Sequence, residues 1–531
     1  MKRIFISSML LTLCLIAFGA ERKSTVTVHT SEGTSVINRN IYGQFAEHLG
    51  TCIYGGLWVG EDSPIPNTNG YRNDVLTALK ELHIPVLRWP GGCFADDYHW
   101  MDGIGPRDKR PAKVNSTWGG TLEDNSFGTH EFLNLCELLE CEPYVSMNIG
   151  SGTVRETSEW VEYMTADNGP MAELRHKNGR TNPWKVKFIG VGNESWGCGG
   201  SMTPEYYSNE YRRYATYCKN FSGNTLYKIA SGASDYDYTW TETLMKNIGN
   251  RMDALSLHYY TVLGWNGSKG KATTFTDDDY YWCLGKCLGI EPVIKKHIAI
   301  MDRYDAKNNI GLLVDEWGTW WDEEEGTTPG HLFQQNTMRD AFVAALSLNV
   351  FHKYSDRIKM CNIAQIANVL QSMILTNDDK MVLTPTYYVF KMYIPHQDAT
   401  FLPSDIVCDE MQVPNERFQG GRNQEEEPTR TLPMLSATAS RDAKGVLHLS
   451  LANVDLKQSQ TVSVKLEETK AKSVSGTILT SKNIADHNTF KNPDTVKPEQ
   501  FKGAKVNKKD ASVITVTLPA KSIVTLEITT K

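Results

Sequence analysis

Two glutamates in this chain stand directly after strongly apolar runs. "FIGVGNE" ends at Glu194 and "GLLVDE" ends at Glu316. A pair of carboxyls facing each other across a cleft is what glycosidic cleavage needs. One is protonated and donates to the leaving oxygen, and the other is ionised and attacks the anomeric carbon. At a spacing of about 5 Å the second bonds the sugar directly and configuration is retained. Ionising one carboxyl raises the proton affinity of its neighbour, so a single proton stays on the acid. A lone glutamate at a strand end is ordinarily a helix cap or an ion-pair partner. Two of them, the first preceded by Asn193, favour catalysis. The Asn193 amide suits a sugar 2-hydroxyl, a contact that strengthens in the transition state.

Something must hold these groups together, and the pattern between residues 41 and 392 supplies it. Eight short apolar segments, at 41–45, 85–89, 143–148, 187–193, 227–230, 254–258, 311–316 and 358–365, alternate with helical patterns. Near-continuous apolar runs are expected of parallel strands buried on both faces. Residues 74–82, 130–139 and 338–345 carry apolar side chains at helical spacing. Eightfold strand–helix alternation predicts an α/β fold, a (β/α)8 TIM barrel, with its active site at the C-terminal strand ends. Glu194 then ends strand four and Glu316 ends strand seven, on facing sides of the mouth. From about 431 onward the pattern changes to period-two segments rich in Val, Thr and Ser, which predicts a jelly-roll-like antiparallel β-sandwich. The expected division is 1–19 a signal peptide, 20–40 N-terminal strands joining the sandwich, 41–392 the barrel and 393–531 the sandwich. A polar loop, 414–428, lies near the junction.

Composition excludes other classes. With 531 residues, 40% hydrophobic and 22% charged, the chain is long enough for two or three ordinary cores. A net charge of −7 leaves no basic footprint for nucleic acid. The 13 Trp and 23 Tyr are a rich supply of flat rings for stacking on sugars, although most such rings in any protein are core. Lys2 and Arg3 followed by an apolar run to Phe18 and a small-residue pattern at Ala17-Phe18-Gly19 predict export and cleavage rather than a membrane span. Leu13 before Cys14 argues against a lipid anchor. The 11 cysteines form no CxxC pair, and mostly free buried thiols are expected. Glu47 with His48 lacks a third ligand at metal-site spacing, so neither a metal nor another cofactor is expected.

Five stretches resemble one family. "GQFAEHLG" (43–50), "RWPGGCFADDYHWMDGIGP" (88–106), "GVGNESW" (190–196), "LVDEWGTW" (313–320) and "CNIAQIANVLQ" (361–371) are similar, in order and spacing, to glycoside hydrolase family 51, the α-L-arabinofuranosidases. The resemblance spans barrel and sandwich. It implies Glu194 as acid/base and Glu316 as nucleophile, in a retaining exo-enzyme that releases terminal arabinofuranosyl units from arabinan, arabinoxylan or related oligosaccharides. It also implies substrate contacts or carboxylate ordering for Glu47, Arg88, Asn193 and Gln365. His258 is expected to tune Glu194, and Tyr260 to keep the Glu316 pKa low. Trp118 and Trp320 are expected to line the aglycone side. Where many members have Asn after "PGG", this chain has Cys93, and a thiol is a much weaker hydrogen-bonding group. The Gly91-Gly92 pair permits close approach and positive φ. A homo-oligomer, as large as a hexamer, is implied. The alternatives are the same carboxylates acting as a β-xylosidase or endo-glucanase, or a non-catalytic glycan-binding protein.

Overall fold

The computed structural model describes residues 22–33, 35–265, 267–414 and 429–531. The expected signal peptide and nearly all of the 414–428 loop lie outside them. Eight parallel strands close into a barrel: β1 (Gly43–Phe45), β2 (Val86–Trp89), β3 (Glu142–Met147), β4 (Phe188–Val191), β5 (Tyr227–Ser234), β6 (Ala254–Thr261), β7 (Gly311–Thr319) and β8 (Ile358–Ala364). Each pairs with its sequence neighbours, and β8 closes on β1. All nine residues of β7 and all eight of β6 are buried. Both faces of these strands are covered, by helices outside and by side chains within, which is why their sequences read as apolar runs. Val86, Tyr144, Phe188, Ile229, Ala254, Leu313 and Met360 form a separate apolar cluster contributed by seven of the strands.

Two sheets make the second unit. One has five strands, in the order Ser404–Val407, Arg22–Val28, Gln460–Leu466, Val513–Leu518, Ala504–Val506. The other has six, from Thr400–Leu402 to Glu499–Gln500. Val26, Val28, Val462, Val464, Leu449, Leu451, Ile514 and Val516 pack between them. The pairings are antiparallel except one: Arg22–Val28 runs parallel to Gln460–Leu466, with Val26 opposite Val464. The first described strand therefore shares a sheet with late strands of the chain, while the last strand, Ser522–Thr530, belongs to the other sheet.

The segment after β7 is fixed by a helix end. Helix Met338–Lys353 starts with a reciprocal cap between Thr337 and Asp340. The buried Asp340 carboxylate also accepts from the Thr319 hydroxyl at 2.7 Å and the Trp321 indole at 2.9 Å. Gln371 accepts from the Thr319 amide at 2.9 Å and donates to the Asp340 carbonyl at 2.7 Å. The chain leaving Glu316 is thus tied to a helix terminus and to the loop after β8.

The approach to β7 is clamped as well. Arg357 is buried and donates to Asp305 Oδ2 at 2.8 Å, to Asp302 Oδ1 at 2.5 Å and to the Ile310 carbonyl at 2.9 Å. Replacing Arg357 by Met takes the cation from Asp305, which keeps the Ile310 amide at 2.7 Å and the Asn309 side chain at 3.2 Å; losing one partner of a buried pair costs at most about 3–5 kcal/mol. The expected outcome is a clear fall in the urea midpoint of unfolding; an unchanged midpoint would show that the clamp contributes nothing.

Candidate active site

Strand β4 ends at Val191, and the chain turns sharply through Gly192, at φ +87°, into Asn193 and Glu194. Glu194 itself has φ +41°, a left-handed conformation uncommon for a residue with a side chain, which local contacts hold in place. The amides of Gly197 and Gly199 both donate to the Glu194 carbonyl, at 2.7 and 3.1 Å. Buried Asp96 accepts from the Asn193 amide at 3.0 Å and from the amides of Ile149 and Gly150 at 2.9 Å each. One carboxylate thereby pins the loops after β3 and β4 together. Burial nevertheless pushes its pKa up to about 7.

Strand β7 presents two consecutive acids, Asp315 and Glu316, toward the same histidine. A regular strand sends neighbours to opposite faces. Here three steps of β7, Leu313 to Glu316, match two steps of β6, Ser256 to His258. The extra residue is a β-bulge, which re-aims side chains beside a site. His258 Nε2 lies 3.2 Å from Asp315 Oδ1, while its Nδ1 lies 2.8 Å from Glu194 Oε1 and 3.5 Å from Glu316 Oε2. Facing carboxylates at both ring nitrogens, the imidazole is held as the cation. Burial opposes the charge, but Glu316, Asp315 and Glu194 outweigh it and raise the pKa to about 10.

The carboxylates of Glu194 and Glu316 and the ring of His258 offer ligand atoms that all lie within 4.8 Å of one another. That is the close, direct-attack spacing. Arg88, fully buried, donates to Glu316 Oε1 at 3.0 Å, to the Asp315 carbonyl at 2.7 Å and to Asn193 Oδ1 at 2.5 Å. Tyr260 donates to Glu316 Oε2 at 2.9 Å, and Tyr144 to Asp315 Oδ2 at 2.7 Å. Burial pushes the Glu316 carboxyl above its ordinary value, and the charges of His258 and Arg88 pull it back. The expectation that Tyr260 keeps this pKa low is therefore corrected: burial is the largest influence, and the opposing pull comes chiefly from the two cations.

Glu47, at the end of β1, accepts from the Phe94 amide at 3.1 Å, the Trp118 indole at 3.0 Å and the Gln365 amide at 3.0 Å. Burial first, and then the Glu316 charge, raises its pKa to about 7. Trp118 thus touches Glu47 directly. Trp320 packs edge-on against Tyr260 at 5.1 Å and Trp265 at 5.4 Å. Among the described residues, Asn193 Nδ2 and Gln365 Oε1 are buried polar atoms with no hydrogen-bond partner. Because Arg88 holds Asn193 by its oxygen, the amide nitrogen is left to donate. Such orphaned atoms beside two carboxylates are what a polyhydroxylated ligand would satisfy.

Two expectations for the β2 loop change. Gly91 and Gly92 do not use positive φ; they are needed for space. A Cβ on Gly91 would stand 2.7 Å from Glu47 Cγ, and one on Gly92 2.8 Å from Glu316 Oε1. Cys93 is not a thiol: it is bonded to Cys198, and the two sulfurs lie 3.7 and 3.5 Å from Glu194 Oε2. The other described cysteines, eight of them, are free, and seven are buried. Sequence reasoning missed Asp315, Tyr144, Trp265 and Cys198. Asp315 adjoins Glu316 in the sequence, but only the bulge turns both inward.

Comparisons with known proteins identify the family. The family description "Alpha-L-arabinofuranosidase 1 domain" matches residues 78–275, and "Alpha-L-arabinofuranosidase C-terminal domain" matches 315–522. A curated Bacteroides ovatus protein named "Intracellular exo-alpha-L-arabinofuranosidase" is 64% identical over 97% of each chain. The crystal structure of the GH51 arabinofuranosidase from Xanthomonas axonopodis pv. citri superposes with a TM-score of 0.91 at 46% identity, covering 96% of this chain and 100% of that one. The Thermotoga maritima α-L-arabinofuranosidase arabinose complex superposes at 0.79 with 29% identity and the same coverage. The name of the Bacteroides ovatus relative overturns the expectation of export. A short basic start and an apolar run are a compositional pattern, and such a pattern alone does not fix the compartment where the folded enzyme works. Among the described residues no helix is long and apolar enough to cross a membrane.

Proposed function

The chain belongs to glycoside hydrolase family 51, the α-L-arabinofuranosidases, and from that membership we propose how its own residues divide the reaction. The enzyme removes α-L-arabinofuranosyl units by double displacement. Glu316 attacks the anomeric carbon while Glu194 protonates the departing oxygen, leaving an arabinosyl ester on Glu316. Glu194, now ionised, takes a proton from water, and the water opens the ester. Arg88 and His258 supply two positive charges against Glu316 and Asp315, so the buried cluster balances with the nucleophile ionised. Asn193, Glu47 and Gln365 hold sugar hydroxyls, while Trp118, Trp320 and Trp265 flank the leaving group. In this reading 41–392 is the catalytic unit, 20–40 and 393–531 make the sandwich, and copies of the chain associate. The natural substrate is an arabinose-decorated plant polysaccharide or its oligosaccharides. The relatives give no support to a β-xylosidase or glucanase reading.

The observation that carries the proposal is the carboxylate pair within 4.8 Å across His258. Its test is to follow aryl α-L-arabinofuranoside hydrolysis by proton NMR. The first sugar released should be the α anomer; β-arabinose as first product would exclude double displacement.

Glu47 sets a further expectation. As pH rises through about 7 its carboxyl ionises and becomes a pure acceptor for a sugar hydroxyl. KM should fall through that range in the wild type. In Glu47→Gln the step should vanish and kcat/KM should drop about 10- to 100-fold, the worth of a hydrogen bond to a charged group. A KM profile that still steps near neutrality in the variant would assign the titration to another group.

A further inference from the structure

The Cys93–Cys198 bond lies against the working carboxylate rather than in a core. Cys93 opens the short helical turn Cys93–Asp96 after β2, and Cys198 is curled back over Glu194 by the turn that Gly197 and Gly199 close. Cys198 is exposed and Cys93 half-buried. Their Cα atoms are 5.4 Å apart. Both sulfurs face the same oxygen, Glu194 Oε2, at 3.7 and 3.5 Å. The other oxygen, Oε1, is occupied by His258 at 2.8 Å. Each carboxylate oxygen thus has a different neighbour, and His258 fixes which one looks at the sulfurs.

We propose that the reduced Cys93–Cys198 pair, with Glu194 Oε2, forms a binding site for a soft divalent cation such as Zn²⁺ or Cd²⁺. The three ligand groups lie within 4.8 Å of one another. Zinc takes sulfur at about 2.3 Å and carboxylate oxygen at about 2.0 Å in a tetrahedron, which places sulfur and oxygen about 3.5 Å apart. The observed sulfur–oxygen separations are already of that size; the two sulfurs, bonded to each other in this structure, must part to about 3.8 Å on reduction to take two corners of the same tetrahedron. Two thiolates select thiophilic metals over Mg²⁺ or Ca²⁺, which prefer all-oxygen shells. The exposed side at Cys198 leaves the fourth position to water. The His258 bond to Oε1 orients the ligating carboxylate without competing for it, the usual task of an outer-shell partner.

Opening the site takes two electrons. A water-soluble phosphine breaks the sulfur–sulfur bond, gains an oxygen from water to become the phosphine oxide, and leaves two thiols. In a reducing compartment a cellular dithiol does the same, becoming a disulfide itself. The cation then binds both sulfurs and releases their two protons to solvent. Resting on the reading of Glu194 as acid/base, occupancy removes the group that must protonate the leaving oxygen, so the loaded enzyme is inactive until the metal is withdrawn.

The test uses the full-length enzyme, reduced with phosphine, desalted without oxygen and titrated with Cd²⁺ and Zn²⁺. The ultraviolet thiolate-to-Cd²⁺ band reports the site, and aryl arabinofuranoside hydrolysis reports its consequence. One Cd²⁺ per chain with the band, inhibition by Zn²⁺, and full recovery on chelation are expected. Oxidised enzyme should show neither. Reduced Cys198→Ser should need at least about 100-fold more Zn²⁺ for half-inhibition, since losing even an outer-shell partner costs about 10- to 100-fold. Cys198→Ala serves equally should the serine variant fold poorly. A band in Cys198→Ser equal to that of the wild type, or inhibition equal in oxidised and reduced enzyme, would overturn the proposal; the latter would move the metal to Glu194, His258 and Glu316. A wild-type band with full activity would overturn the three-ligand site, since the metal would then hold the two sulfurs and leave Glu194 free; failure of Glu194 as the acid is read separately, from the dependence of Glu194→Ala on the leaving group.

Discussion

Replacing Glu316 by alanine is expected to lower kcat on aryl α-L-arabinofuranosides on the order of 10⁴-fold or more, as removal of a nucleophile does in other covalent mechanisms. The side chain is buried between Arg88 and Tyr260, so its loss leaves a pocket lined by donors. Small anions should enter it. With azide present, hydrolysis of a substrate with a good leaving group should recover, and the product should be the β-arabinofuranosyl azide, because azide attacks from the face that Glu316 used. An undiminished variant would remove Glu316 from the mechanism. A variant that is inactive and not rescued, yet shows an altered urea midpoint, would point to a structural role.

Glu194→Ala should behave differently in kind. The first step needs an acid only when the leaving group is poor, so kcat/KM should fall about 10²- to 10⁴-fold for alkyl or sugar aglycones. For a dinitrophenolate it should fall little. The second step needs the base for every substrate, so the arabinosyl ester should accumulate and KM should drop together with kcat. Azide should here yield the α-azide, since it intercepts the ester from the leaving-group side. Equal loss across a series of aryl leaving groups would take the acid role away from Glu194. The two variants thus predict azides of opposite configuration, which separates nucleophile from acid/base in one measurement.

Much of the barrel was legible because its strands are buried on both faces and read as apolar runs. The runs at 187–193 and 311–316 led straight to Glu194 and Glu316. Helix Met338–Lys353 was visible only to Ala345, and the reason is its setting. Every residue from Met338 to His352 is buried, so no polar stripe marks its period. Asp315 was invisible as a partner for His258 because strand alternation assigns it to the face opposite Glu316; the bulge between Leu313 and Glu316 is a tertiary outcome. The Cys93–Cys198 bond joins residues 105 positions apart, and pairing is not encoded in spacing. Trp265 sits in a loop with no periodic signal. The charge balance around His258 depends on atoms from β2, β4, β6 and β7 meeting at one point, which no local pattern contains.

The parallel pairing of Arg22–Val28 with Gln460–Leu466 has a consequence for how the protein is made. The first of these strands leaves the ribosome more than four hundred residues before its partner is synthesised. Its other neighbour, Ser404–Val407, is also late. Throughout translation of the barrel this ribbon has an unsatisfied edge, and contacts of such long sequence separation form slowly. The barrel is in effect a guest housed between the two ends of its host, and because Val454, Leu479 and Ile523 share its core, a nascent chain stalled before the final strands leaves that core incomplete.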